Sequence, residues 1–145
     1  MRQVGKNPAV APPQTRCIES AQPQVEAAVG PLTREFLERT RGDVVRLGHL
    51  VERAREGNTS VLAEIGRLTH SIHGTGAMFG YSGISAAAAL METWACDVAP
   101  TVSTPGAAIS RGLLEAFLEL IRRLAQEINA AARAAPQCGA APRGA

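Results

Sequence analysis

The chain has few aromatic residues and few cysteines, and each shortage excludes some classes of protein. Three Phe, one Tyr and one Trp among 145 residues leave Leu, Ile, Val and Ala to build the core, which favours helices. The same shortage leaves no aromatic platform on which nucleic-acid bases would stack. The three cysteines, Cys17, Cys96 and Cys138, are odd in number and widely spaced, so we expect reduced thiols.

Strong net charge and long apolar runs are also lacking. Fifteen basic residues against 13 acidic ones give a net charge of +2, so no basic face for nucleic acid is expected. No apolar run of signal-peptide length follows Met1, and the longest run, 84–91, is interrupted by Ser85 and is too short to span a bilayer. We therefore expect a cytoplasmic protein that contacts neither membrane nor nucleic acid.

The prolines divide the chain into three parts. None of the nine falls between Pro31 and Pro100, so the middle is free of the residue that most disrupts helices. Residues 1–30 combine four prolines with sparse hydrophobic residues, which predicts a disordered arm. Residues 135–145 are predicted to form a disordered tail. The span 31–134 is predicted to fold as one helical domain.

Apolar residues at spacings of three and four predict four helices in this domain. The first begins at Pro31 and ends at Gly57, and a break at Gly42-Asp43 would split off a short extra N-terminal helix. The second and fourth are predicted over about 60–78 and 107–133, and the third follows the 80–83 turn with apolar positions from Ile84 to Val98. We expect Asn58 or Thr59 to cap the second helix and Ser82 to cap the third. Amphipathic helices with short connections pack most simply as an up-down-up-down bundle, so the predicted class is all-α.

The inward stripes of three helices follow from the same periodicity. For the first helix they are Leu32, Phe36, Val44, Leu47, Val51 and Ala54; for the third, Ile84, Ala87, Ala88, Met91, Ala95 and Val98; for the fourth, Ile109, Leu113, Phe117, Leu120, Leu124, Ile128 and Ala131.

The second helix carries a histidine on its solvent side. At about 100° per residue, His70 lies about 160° from Leu68 and Ile72, which belong to the buried stripe. The positions nearest to it on the helix surface are Gly66, Gly74 and Ala77, and Arg67 and His73 flank that row. Because each glycine inside a helix costs about 1 kcal/mol relative to alanine, we infer that the row keeps the imidazole clear for another protein.

The segment His70-Ser71-Ile72-His73-Gly74-Thr75, followed by Phe79-Gly80, resembles the histidine-containing phosphotransfer (HPt) domains of bacterial two-component phosphorelays. The signature of that family is His-x-x-Lys-Gly-Ser/Thr before an apolar helix end punctuated by glycine. The resemblance extends more weakly over about 32–97. It departs at His73, which stands where the family usually has Lys.

This resemblance implies a phosphoryl carrier. His70 would accept the group from the phospho-aspartate of a receiver domain, such as that of a hybrid histidine kinase, and pass it to the receiver of a response regulator. Mg²⁺ is expected on the receiver, so the chain itself would bind no metal or cofactor. With no ATP-binding sequence, it would have no kinase activity of its own. In the family the Lys steadies the phosphoryl group, and here Arg67 or His73 would take that part.

One further residue follows from helix geometry. If the helices before and after the 80–83 turn are antiparallel, residues equally far from Tyr81 lie level, and His70 and Glu92 are each eleven residues away. Glu92 is therefore predicted to accept a hydrogen bond from Nδ1 of His70. That bond would fix the tautomer and leave Nε2 free to attack.

Other interpretations stay open at this point. His70 and Glu92 would be ordinary solvated side chains if the motif match were fortuitous. A bundle that has lost transfer would dock receivers without accepting phosphate, and the change from Lys to His73 is compatible with that. A transition metal could instead bind His70, His73 and Glu92, although the Glu-x-x-His repeats of bundle metalloproteins are missing. A monomer is expected, because no second apolar stripe is evident.

Overall fold

The computed structural model describes residues 22–135, with side chains from residue 29 onward. Four α-helices follow one another: α1 (Gln22–Arg55), α2 (Val61–Met78), α3 (Ser82–Val98) and α4 (Arg111–Ala134). A short 3₁₀ helix, Ala99–Val102, continues α3. The described residues contain no β-strand. The all-α bundle predicted from the sequence is confirmed.

Neighbouring helices pack side by side around one core. The α2–α3 pair has the most extensive contact, and α4 packs against both α1 and α3. The six residues predicted to face inward from α3 are all buried. Aliphatic side chains and alanine supply most of the core, and two groups of aromatic rings pack within or against it. Phe36 of α1 stacks on Phe79 and Tyr81, with ring centroids 5.0 and 5.9 Å apart, and Trp94 packs on Phe117.

The first helix differs from the sequence prediction at two places. It begins at Gln22, upstream of the predicted start at Pro31, and it runs through Gly42-Asp43 without a break. The prediction of a separate short N-terminal helix is therefore wrong. Glu26, Ala27 and Ala28 favour helix, so the segment before Pro31 continues it. Residues 1–21 of the predicted arm and 136–145 of the predicted tail lie outside the described residues.

Glycines in the left-handed region end the first two helices. Gly57 (φ 89°) follows α1, and Gly80 (φ 77°) follows α2. After α2, the N–H of Gly80 donates to Ala77 O (3.1 Å) and that of Tyr81 donates to Gly76 O (2.8 Å), so these two carbonyls of the last turn are satisfied. The predicted end of α1 at Gly57 is confirmed to within two residues, and α3 starts immediately beyond the Gly80 turn.

The predicted caps are wrong in detail. Ser60, not Asn58 or Thr59, occupies the N-cap position of α2, and the side chain of Asn58 accepts hydrogen bonds from Ser60 instead. Ser82 is the first residue of α3, and Tyr81 precedes it as the cap. Short polar side chains cluster at both turns, so composition locates the turn but does not say which residue is the cap.

The fourth helix starts later than predicted. Ser110 is its N-cap and accepts a hydrogen bond from the N–H of Leu113 at 3.3 Å. Leu113 was predicted to face inward but is 37% exposed, and Leu114 is buried instead. Likewise, Leu32 near the start of α1 is 53% exposed rather than inward. None of the helices in the described part of the chain has the length and hydropathy needed to cross a membrane.

Candidate functional site

His70 projects from the outward face of α2. Its side chain is 75% exposed, as the helical periodicity predicts. Nδ1 of the ring lies 2.8 Å from Oε1 of Glu92 on α3, the residue selected by its equal distance from the turn. The antiparallel α2–α3 pair, fixed by the tight turn at Gly80, brings the two residues level. The Nε2 side of the ring is left facing solvent.

Glu92 contacts a second imidazole with its other oxygen. Nδ1 of His73 lies 3.3 Å from Oε2, and the His73 side chain is 42% exposed. The hydrogen bond from His70 lowers the pKa of Glu92 below its ordinary value of 4.5; partial desolvation opposes this shift, and the bond from His73 adds to it. Glu92 is therefore ionised at neutral pH.

The ionised carboxylate determines which ring nitrogen carries the hydrogen. Because a carboxylate can only accept, each Nδ1 that contacts it must be the donor. In a neutral imidazole the other nitrogen, Nε2, then carries the lone pair. Both His70 and His73 are thus held in the tautomer whose outer nitrogen is a nucleophile.

The glycines of α2 differ in their surroundings. A Cβ placed on Gly74 would meet nothing within 4 Å, and Ala77, one turn beyond, is exposed. A Cβ on Gly66 would lie 4.0 Å from Cβ of Ala95, so this glycine borders α3 and is half-buried. The surface around His70 is therefore open toward Gly74 and Ala77 and narrower toward Gly66.

Sequence reasoning missed a third glycine. Gly76 is buried, and a Cβ there would lie 3.2 Å from the backbone N of Ser85. Ser85 also donates from Oγ to the carbonyl O of His73 at 3.0 Å, which joins α3 to the turn of α2 that follows His70. The signal for Gly76 was present, because it continues the inward row of Thr69 and Ile72.

Arg67 is exposed one turn before His70 and forms no ion pair with any other described residue. Its guanidinium is thus available to an anionic group brought to this surface. No group of three or more His, Cys, Asp or Glu side chains within residues 22–135 is arranged to hold a metal ion.

A family model for the Hpt domain matches residues 31–134, which include α2, α3, α4 and most of α1. The chain belongs to the Hpt domain family. Hpt domains carry out histidine phosphotransfer in phosphorelays and interact with receiver domains of two-component systems. No curated protein and no solved structure gives a match to this chain. The helical bundle described here is the architecture of Hpt domains.

Proposed function

We propose that His70 of this Hpt domain accepts a phosphoryl group from the phospho-aspartate of one receiver domain and passes it to the aspartate of another. The observation that carries this proposal is the exposed ring of His70 with Nδ1 held 2.8 Å from Glu92. The neutral imidazole with its hydrogen on Nδ1 has a lone pair on Nε2 and is a competent nucleophile, so no adjacent base is needed.

The transfer requires little covalent chemistry from the protein. The Nε2 lone pair of His70 forms the N–P bond while the bond from phosphorus to the aspartyl oxygen breaks, and the aspartate leaves as a carboxylate. The ring keeps its Nδ1 hydrogen and becomes positively charged, and the Glu92 carboxylate stabilises that charge. Attack by the carboxylate of a second receiver reverses these steps.

The partner surface would be formed by the outward row of α2. Gly66, Gly74 and Ala77 let the rim of a receiver approach the ring, and Arg67 adds positive charge where the phosphoryl oxygens would lie. The receiver would supply the Mg²⁺ that phosphoryl transfer needs. We further propose that the domain works as a monomer in the cytoplasm, with no bound cofactor, and docks receivers transiently.

His73 would assist only when it is protonated. Its Nδ1 hydrogen is directed to Glu92, so the neutral ring has no second N–H to offer to a phosphoryl group. The imidazolium form has one on Nε2. His73 would thus replace the permanent cation of the usual lysine with a charge that depends on pH.

The test is a transfer assay with a phosphorylated receiver from the same organism. We expect an acid-labile, base-stable label on the protein, and His70→Gln should carry about one-tenth of it or less, because the variant lacks the attacking nitrogen. His49→Gln is the matched control, because His49 is an exposed histidine on α1 away from this site. An acid-stable label, or an undiminished one in His70→Gln, would contradict the proposal. Receiver binding without label would indicate a docking module.

A further inference from the structure

We propose that His73 is a second phosphoacceptor, which takes the phosphoryl group from a receiver in place of His70. This inference rests on the proposed function of the same site. It follows from the arrangement in which one carboxylate orients two imidazoles, since Oε1 of Glu92 contacts His70 and Oε2 contacts His73.

The two rings have the same hydrogen-bond pattern. In each, Nδ1 is the atom that faces Glu92, so the neutral ring presents Nε2 as a nitrogen with a free lone pair. A lysine at position 73 would be protonated and could not act in this way. The histidine that departs from the family pattern therefore has the chemistry of an acceptor.

His73 is also accessible. Its side chain is 42% exposed, and it lies one helical turn from His70 on the side of α2 that faces α3. The residues beside it are small: exposed Gly74 follows it in the chain, Ala77 lies one turn further on, and Ala89 lies level with it on α3 by the equal-distance rule. A receiver docked over Gly74 and Ala77 would need only a small shift to reach either ring.

The second transfer balances in the same way as the first. Nε2 of His73 forms the N–P bond, the bond from phosphorus to the aspartyl oxygen breaks, and Glu92 faces the charged ring that results. His73 is less exposed than His70, and its contact with Glu92 is longer, 3.3 Å against 2.8 Å. Two phosphoryl groups one turn apart would repel each other, so one ring is modified at a time.

The experiment compares labelling by a phosphorylated receiver in His70→Gln and in the double variant His70→Gln/His73→Gln. We expect His70→Gln to retain about one-tenth or less of the wild-type label, because His73 is less exposed than His70 and its contact with Glu92 is longer. Peptide mapping should place that acid-labile label on His73, and the double variant should lose it. A control double variant, His70→Gln/His49→Gln, should keep it.

The outcomes separate the two proposals. If the wild type is labelled on His70 but His70→Gln carries no more label than His70→Gln/His73→Gln, His73 is not an acceptor and the proposed function stands. Residual label mapped to any residue other than His73 also overturns the second site. If the wild type takes no label, the proposed function itself is contradicted, whatever the variants show. Circular dichroism of each variant checks that the helices are intact.

Discussion

The inward and outward faces of α2 use the same residue type for opposite purposes. Gly76 is buried, and a side chain there would press on the backbone of Ser85 at 3.2 Å. Gly74, two residues earlier, has nothing within 4 Å of where its Cβ would be. The first glycine is required by packing inside the bundle. Packing inside the bundle does not require the second glycine, so its lack of a side chain can instead serve the approach of a docking partner.

The polar groups of the two faces differ in the same way. On the inward face, the hydroxyl of Thr69 is fully buried and donates to Ile65 O at 2.9 Å, so its hydrogen-bonding need is met within the helix. On the outward face, His70 has one described side-chain partner, Glu92, and an exposed Nε2. Stability should therefore depend on the inward face and phosphoryl transfer on the outward one.

Apart from the loss of His70 itself, the largest effect expected on the outward face comes from removing Glu92. Glu92→Ala should slow transfer to His70 about 30-fold, equivalent to ~2 kcal/mol, because the ring loses its orientation and the charged product loses its carboxylate. Glu92→Gln should be less severe, since an amide oxygen can still accept from Nδ1.

Rates of labelling measure this, and ¹⁵N NMR of the His70 ring reports the tautomer. If Glu92→Ala leaves both the rate and the tautomer unchanged, Glu92 is only a solvated side chain, and the outward face depends on His70 alone.

On the inward face, Gly76→Ala should destabilise the fold. The added methyl group would force α2 and α3 apart, at a cost of about 1–3 kcal/mol that exceeds the gain of about 0.5–1 kcal/mol from replacing a helical glycine. Urea unfolding measures the difference. A variant as stable as the wild type would show that α2 and α3 can separate there without cost, and the contrast between the two glycines would lose its basis.

Gly74→Ala is the matched substitution on the outward face, and we expect the opposite sign. Its free energy of unfolding should rise by about 0.5–1 kcal/mol, because alanine is the better helix former and meets no neighbour. Transfer should slow if the position serves clearance of the receiver. A stabilised variant with an unchanged transfer rate would mean that Gly74 is not part of the docking surface.

A smaller effect is expected from pH. The advantage of the wild type over His73→Ala in transfer to His70 should be smaller at pH 8 than at pH 6.5, because only protonated His73 has an N–H free for the phosphoryl oxygens. Arg67 stays charged over this range and His70 is present in both proteins, so the comparison with His73→Ala isolates His73. A wild-type advantage that is the same at both pH values, or no advantage at either, would remove His73 from this role.

The smallest effect concerns stability in acid. The pKa of Glu92 is lowered in the fold, chiefly by the hydrogen bond from His70, so its contribution to stability is present above the ordinary value of 4.5. It is lost as the pH falls through the lowered folded value. Urea unfolding should show wild type more stable than Glu92→Gln at pH 7, with a smaller difference at pH 3. If the two proteins differed in stability by the same amount at pH 7 and at pH 3, the stabilising contact between ionised Glu92 and His70 would be contradicted.

The sequence predicts the surroundings of the His70 side chain better than it predicts the helix ends. The exposure of His70 and its contact with Glu92 follow from the helical period and from the symmetry of a tight antiparallel turn, and both depend on local geometry. The start of α1 cannot be predicted in this way. A proline such as Pro31 is typical of the first turn of a helix, and only the structure shows that α1 continues upstream of it.

Other features depend on tertiary packing. The helical period places Gly76 on the inward face and Gly74 on the outward one, but only the approach of the Ser85 backbone shows that position 76 has no room for a side chain. Leu113 and Leu114 are adjacent and chemically identical, so the choice of which one is buried depends on where α4 begins. Whether Gly42 breaks a helix is decided by the buried residues on either side, which hold α1 continuous.

The most direct test of the central claim is long-range ¹H–¹⁵N NMR of the protein phosphorylated by a receiver, which identifies the ring nitrogen that carries the phosphoryl group. With Nδ1 of His70 held by Glu92, the phosphoryl group should appear on Nε2 of His70, and Nδ1 should keep its hydrogen. A phosphoryl group on Nδ1 of His70, or an unmodified His70 ring in the labelled protein, would contradict the account.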